Sequence, residues 1–271
     1  MSHPPPQARS WAAKPRQQAV VWAHATLGPI AFLGEVILAS ARAPGRWQVR
    51  RQDLLRVLAE SGAKSLPIVT VVDALVGAIL AFVGAVQLVK FGAGIFVADL
   101  VSIAVTREMA AVITAVVVAG RTASSFAAEL ATMQADEEID ALRVLGIDPL
   151  SYLVLPRIFA LVLMMPLLYV YGCLASLGGG LLVSALMLDI SAPAYIERAL
   201  KASPLSFVML GLTKTLFFGA LIGLSACYTG LHASRDAAGV GRATTKAVVT
   251  GIVGVIALDA LFAVCANALN I

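Results

Sequence analysis

Charged residues are scarce in this 271-residue chain: Asp, Glu, Lys and Arg make up 13% of it, against about a quarter of a soluble domain. Apolar residues reach 59%. A water-soluble fold of this length leaves too much surface exposed to hide them, so the solvent is partly lipid and the chain reads as a polytopic membrane protein. Cysteine is nearly absent. Cys173, Cys227 and Cys265 are odd in number, far apart and without a histidine at metal-ligand spacing, so they are expected to be plain buried residues. No G-x-x-x-x-G-K-[ST] occurs, and Gly239-Val-Gly241-Arg242 has neither its spacing nor its lysine, which excludes ATP binding by a P-loop within the chain. Without HExxH, GxSxG or a Cys-rich metal site, nothing supports an enzyme, and neither cofactor nor metal is expected.

The net charge of +4 is unevenly spread, since nine of the 20 Lys and Arg precede Ser65. That bias points to a membrane surface rather than to nucleic acid. Residues 1–16 are polar and Pro-rich and lack the three-part pattern of a signal peptide, so they are expected to form a flexible cytoplasmic tail.

Apolar runs long enough to cross about 30 Å of hydrocarbon lie near 66–89, 95–118, 157–187, 206–230 and 247–270. The third holds Pro166 and ends in Gly178-Gly179-Gly180, so a tilt, kink or break is expected there. A sixth stretch, 19–41, is interrupted by Gly28-Pro29, carries His24 and Glu35, and has basic residues on both flanks. It reads as an amphipathic helix in the cytoplasmic interface, within a region 17–64 and with Trp22 and Trp47 at headgroup depth; a sixth span is the rival. The remainder, 65–271, holds the five apolar runs as one domain. The positive-inside rule then puts the N-terminus in the cytoplasm and Ile271 outside. In the outer loop, Ser191, Pro193 and the spacing of Tyr195, Ile196, Ala199 and Leu200 predict a short amphipathic helix ended by Ser203-Pro204.

Between the second and third spans, 129–145 predicts one charged helix. Asp136 is placed to cap it, Glu137 and Glu138 sit in its first turn, Arg143 in its last, and Gly146 and Pro149 stop it. Ile139, Leu142 and Leu145 make an apolar edge beside an acidic face, which suits a docking helix for a cytoplasmic partner as well as an ordinary solvated one. Ionisable groups within the spans need a partner or a task, because each costs at least about 2.5–3.5 kcal/mol in hydrocarbon. Helix rise puts Lys214 and Asp259 at similar depths, so a structural ion pair is expected. Asp73 and Arg121 are a weaker candidate pair. Arg107 and Glu108 point about 100° apart on one helix and do not simply neutralise each other. Gly219-x-x-x-Gly223 offers a small-residue packing face.

Arg107-Glu108, Ala119-Gly120-Arg121, Ala128-Glu129, Thr132-Met133, Glu137, Ile139-Asp140-Ala141-Leu142, Asp148-Pro149 and Pro156-Arg157, followed by Ala238-Gly239-x-Gly241-Arg242-Ala243-Thr244-Thr245 and Leu258-Asp259, together resemble the signature of the MlaE (YrbE) permease family over about residues 65–269. The resemblance implies an all-α membrane protein: the permease subunit of a bacterial inner-membrane ABC transporter moving phospholipids or other lipids to or from a periplasmic Mce-type protein. It also implies a homodimer, a separate cytoplasmic ATPase that binds the ATP, and a STAS-domain subunit as a further candidate partner. By position, Glu129, Met133, Glu137, Glu138, Ile139, Asp140 and Leu142 would couple to the ATPase. Arg107 and Glu108 would face a lipid cavity lined by Leu80, Gln87, Leu88 and Phe91. A proton-coupled secondary transporter using Glu108 or Asp259 is the competing class. The chain departs from the family pattern at Met109-Ala110-Ala111, where Leu-Gly-Pro is usual, and a straighter second span is expected. Alanines replace the usual glycines at Ala123 and Ala131. Asp136 and Glu138 make the docking helix more acidic, which calls for a basic groove on its ATPase.

Overall fold

The computed structural model describes residues 28–40 and 51–268. The tail 1–16, residues 19–27 of the expected interfacial helix, and both Trp22 and Trp47 lie outside them. The described residues fall into two units, each taken by itself. In the first, α1 is a short apolar helix, Gly28–Ser40; its 13 residues rise about 20 Å, less than a membrane core.

The second unit is entirely helical among the described residues. It comprises α2 (Arg51–Ser61), α3 (Leu66–Leu88), α4 (Val97–Ala104), α5 (Ala110–Val118), α6 (Ser124–Ala135), α7 (Glu138–Val144), α8 (Leu155–Leu188), α9 (Ala192–Ala202), α10 (Leu205–Leu231) and α11 (Ala237–Ala268). Five helical runs are long and apolar enough to cross a membrane: Gln52–Phe91, Gly94–Ala135, Leu150–Leu188, Leu205–Leu231 and Ala237–Ala268. The second run is the axle of the body. Val97, Val101 and Val105, then Ala110, Ala115 and Val118, are all fully buried, against Leu161 and Met165 of α8, Phe218 and Ile222 of α10 and Val255 of α11. Outward-facing apolar residues follow a helical stripe on α3, at Val71, Leu75, Ile79 and Phe82, as expected where the surrounding solvent is lipid.

That second run passes from α4 to α6 without a break, consistent with the loss of the usual Gly-Pro, but it is not uniformly α-helical. Two π-helical turns interrupt it, at Val105–Met109 and Ala119–Ala123. The third run is likewise continuous: α8 holds 34 residues through Pro166, so the expected break is not there. Gly179 and Gly180 serve close packing instead, while Gly178 faces open space. A Cβ on Gly179 would overlap the Ala74 carbonyl, and one on Gly77 would overlap the Ser176 carbonyl, so α3 and α8 touch backbone to backbone. Gly219 and Gly223 do the same for α10, whose glycine face lies on Leu161 and Ile158 of α8.

The single helix predicted over 129–145 is two. α6 ends at Ala135, Glu137 adopts left-handed backbone (φ 61°), and α7 begins at Glu138. Asp136 therefore follows α6 as its C-cap instead of capping the docking helix, while Gly146 (φ 74°) ends α7 as read. Asp148 starts the third run by accepting hydrogen bonds from the backbone N–H of Leu150 and Ser151, both 3.2 Å. Ser191 occupies the N-cap position of α9 with extended backbone, but its side chain makes no cap bond.

Candidate functional site

The π turn at Val105–Met109 carries Arg107 and Glu108. Widening a helix by one residue frees carbonyls from the i to i−4 ladder, and such turns collect at functional positions. Here side chains from neighbouring helices take the exposed carbonyls. The Tyr169 hydroxyl of α8 donates to the Thr106 carbonyl at 2.6 Å, and Lys214 Nζ of α10 donates to the Arg107 carbonyl at 3.4 Å. Lys214 also donates to the Glu108 carboxylate and, at 3.0 Å, to Asp259 Oδ1 of α11.

Lys214 is completely buried, and its three donors meet three acceptors. Glu108 and Asp259 remain about a quarter and a fifth exposed. The structure thus brings together Lys214 and Asp259, and adds Glu108 to them. Arg107 Nε comes within 3.8 Å of Glu108 Oε1, too far for a hydrogen bond, and its guanidinium lies over the Phe207 ring at 5.2 Å. Two cations and two anions make the cluster neutral overall. Arg107 is 29% exposed and holds the weakest of these contacts, which leaves it the cation freest to meet an anionic group.

The proposed cavity residues are not gathered around this cluster. Leu80 and Leu88 are half-buried against the core, Gln87 and Phe91 are exposed, and α3 packs on α4, α5 and α8 while α10 and α11 close the cluster. Asp73 and Arg121 do not pair. Arg121 spends its guanidinium on the Glu60 carbonyl (3.1 Å) and Ser65 Oγ (2.9 Å). Ser65 lies eight residues before Asp73, about 12 Å of helix rise, so the guanidinium is satisfied before reaching the carboxylate.

At the α7 end of the body, Glu137, Glu138 and Leu145 are exposed, Met133, Asp140 and Leu142 half-buried, and Ile139 fully buried. Ile139 therefore anchors α7 and presents no surface. Glu129 is held by Arg157 at 2.9 Å, and Arg157 is itself nearly buried and donates to the Leu153 carbonyl. Arg235, from the loop between α10 and α11, reaches Asp140 at 2.5 Å and Glu137 at 3.5 Å. Sequence reasoning missed these two clamps, as well as the exposed Val144 beside Leu145. The signal that could have found them is the pair of cations themselves, Arg157 at the start of α8 and Arg235 between α10 and α11. At the opposite, α9 end, Arg198 forms a two-pronged pair with Asp99 (3.0 and 2.6 Å) and stacks on Phe96 at 4.4 Å. The Asp99 hydrogen bonds hold the Arg198 guanidinium above its ordinary range, and burial pushes the Tyr195 phenol up to about 12.

Among the described residues, five runs long and apolar enough to cross a membrane, packed around an ion-paired cluster and with a charged helix at one end, define a multi-pass membrane protein. The profile of the permease MlaE family matches residues 54–265, and the chain belongs to that family. A probable ABC transporter permease of Rickettsia typhi is 39% identical over 72% of this chain and 76% of its own length. One of Synechocystis is 33% identical over 89% and 90%. The chloroplastic protein trigalactosyldiacylglycerol 1 of Arabidopsis thaliana is 34% identical over 83% of this chain and 63% of its own length. The chain is thus a membrane permease subunit of the ABC transporter type.

Proposed function

We propose that the chain moves phospholipids or related lipids between a bacterial inner membrane and a periplasmic Mce-type lipid-binding protein. It would work as a homodimer driven by a separate ATPase that supplies all nucleotide binding, with a STAS-domain subunit as a further candidate partner. The observation that carries this reading is the neutral cluster set in an apolar body, closed at Lys214 and partly open at Arg107 and Glu108. An amphiphile needs that combination: apolar helix faces for acyl chains and one accessible polar point for a headgroup. The relative named for trigalactosyldiacylglycerol carries a lipid in its name, which supports the same substrate class.

In this reading the α7 end is cytoplasmic, α1 lies along the cytoplasmic interface, and α7 receives the ATPase through Glu137, Glu138, Asp140 and the exposed Val144 and Leu145. Nucleotide-driven closure of the ATPase would favour one packing of the permease pair over another, which needs a differential of only a few kcal/mol. The secondary-transporter alternative has less support, because both of its candidate carboxylates, Glu108 and Asp259, are already bound to Lys214.

The test is co-purification of the full chain from its host, with and without Glu137→Lys plus Asp140→Lys, and identification of the associated proteins and lipids. Recovery of an ATPase, an Mce-type protein and lipid, with the ATPase lost in the double variant, supports the reading. A chain that purifies alone in both cases overturns it.

A further inference from the structure

The one fully buried acid among the described residues takes no part in the cluster. Asp73 sits about a third of the way along α3, buried where α3 meets α5 and α8. Its Oδ2 accepts one hydrogen bond, from Thr114 Oγ1 of α5 at 3.2 Å, and its Oδ1 is buried with no partner among the described residues. Gly172 of α8 lies against the carboxyl, where a Cβ would stand 3.1 Å from Oδ2. The Ser176 hydroxyl, which could have turned to the carboxyl, donates at 2.9 Å to the Asp73 backbone carbonyl.

Among the described residues no cation answers this carboxyl. Asp73 is the sole ionisable residue of α3, and α5 contains none. From α8, the titratable groups near it are the Cys173 thiol and the Tyr169 phenol, whose hydroxyl is committed to the Thr106 carbonyl. Tyr171, a neighbour of both on α8, is bonded to Thr70 at 2.7 Å. Arg157, the one charged residue of α8, is held by Glu129 about 22 Å of helix rise away. A buried carboxylate with a single neutral donor and no counter-ion carries a desolvation cost that protonation removes.

We propose that Asp73 is a proton-binding site: its carboxyl is uncharged while α3, α5 and α8 are packed as they are here, and it releases the proton when that junction opens to water. The junction is built for such a two-state response. α3 and α8 meet backbone to backbone at Gly77 with Ser176 and at Ala74 with Gly179, so the seam is either closed and dry or parted. Proton release and parting are then one event, and rising pH favours the parted form. This holds whatever energy source drives the chain, because the proton acts as a conformational ligand and not as the transported or driving ion.

The test uses the full-length chain in lipid nanodiscs. Infrared spectra at neutral pH are expected to show a protonated-carboxyl band that disappears in Asp73→Asn and persists in Asp259→Asn. Amide hydrogen exchange across 70–76 and 172–178, taken as the ratio of wild type to Asp73→Asn so that intrinsic rates cancel, should rise about tenfold per pH unit, the slope of a one-proton release. If the Asn chain fails to fold, Asp73→Ser gives the same subtraction. A band that is missing in wild type, or unaltered by the substitution, overturns the proposal. A present band with a flat exchange ratio overturns its link to opening.

Discussion

Around Lys214, two carboxylates from different helices share one ammonium, and a guanidinium stands beside them; around Asp73, a lone carboxyl is closed off by glycines and hydroxyls. Both sites hold acids inside an apolar body, Glu108 and Asp259 partly exposed and Asp73 fully buried. The first does so by charge compensation, and all three donors of the Lys214 ammonium are used. The second does so by backbone proximity, which excludes water without offering a counter-charge. The difference lies in what each site responds to: the cluster to loss of a charge or arrival of another, the Asp73 junction to proton activity and to packing. In the proposed lipid permease, the first site would meet a headgroup and the second would answer a change of packing.

The largest effect should come from removing the ammonium. Lys214→Met leaves Asp259 without its cation and Glu108 with only the distant Arg107, and breaking a buried pair in this way costs about 3–5 kcal/mol. Thermal melts of the detergent-purified chain should show a drop of many degrees, partly recovered by adding Asp259→Asn. If Lys214→Met melts like wild type, the cluster does not hold the helices together. Next in size is Gly77→Ala, which drives a methyl into the Ser176 carbonyl and should cost about 1–3 kcal/mol as overpacking. It should also raise hydrogen exchange near Asp73 while leaving the region of Lys214 protected, which separates the two sites. Asp73→Asn, exchanging one neutral side chain for another, should alter stability at neutral pH by no more than about 1 kcal/mol. A loss as large as that of Lys214→Met would mean that Asp73 is charged and the contrast between the sites false.

What could be read in the sequence follows the regularity of the helix. Five long apolar runs and a fixed rise of 1.5 Å per residue suffice to place Lys214 beside Asp259, and their atoms lie 3.0 Å apart. Glu108 escaped that arithmetic because a π turn resets the phase of the helix at the residues concerned, and no local signal in Val105–Met109 announces it. The break at Glu137 escaped for a related reason. A glutamate in left-handed backbone runs against its preference, so a reader extends the helix through it, and Asp136 then looks like a cap for a helix that starts later. Ile139 was legible as apolar but not as buried, since burial depends on α7 folding back, and Asp73 and Arg121 were paired by depth although Arg121 finds its acceptors at Glu60 and Ser65. The resemblance motifs marked the right segments without saying which side chains touch.

The smallest effects lie outside the membrane body and give the comparison its control, because solvent-exposed charges should behave like neither buried site. Arg235→Ala removes the clamp on Asp140 and Glu137. With both partners substantially exposed, the loss should be about 0–1 kcal/mol, read as faster exchange in α7 and not as a lower melting point. Asp236 supplies the corresponding pH control. Its carboxylate accepts from the Ser234 hydroxyl (2.5 Å), the Gly239 N–H (2.9 Å) and Arg242 (3.3 Å) at the start of α11, and these hydrogen bonds, led by Ser234, hold it below the usual carboxylate range. A carboxylate lowered on folding contributes stability that is present above its unfolded value and lost as pH falls through its folded one. Acidification should therefore fray the first turn of α11, seen as faster exchange in 237–242, and Asp236→Asn should abolish that pH dependence. The sign is opposite to that expected at the Asp73 junction, where opening grows as pH rises, so one exchange experiment across the pH range separates an acid stabilised as an anion from an acid kept neutral.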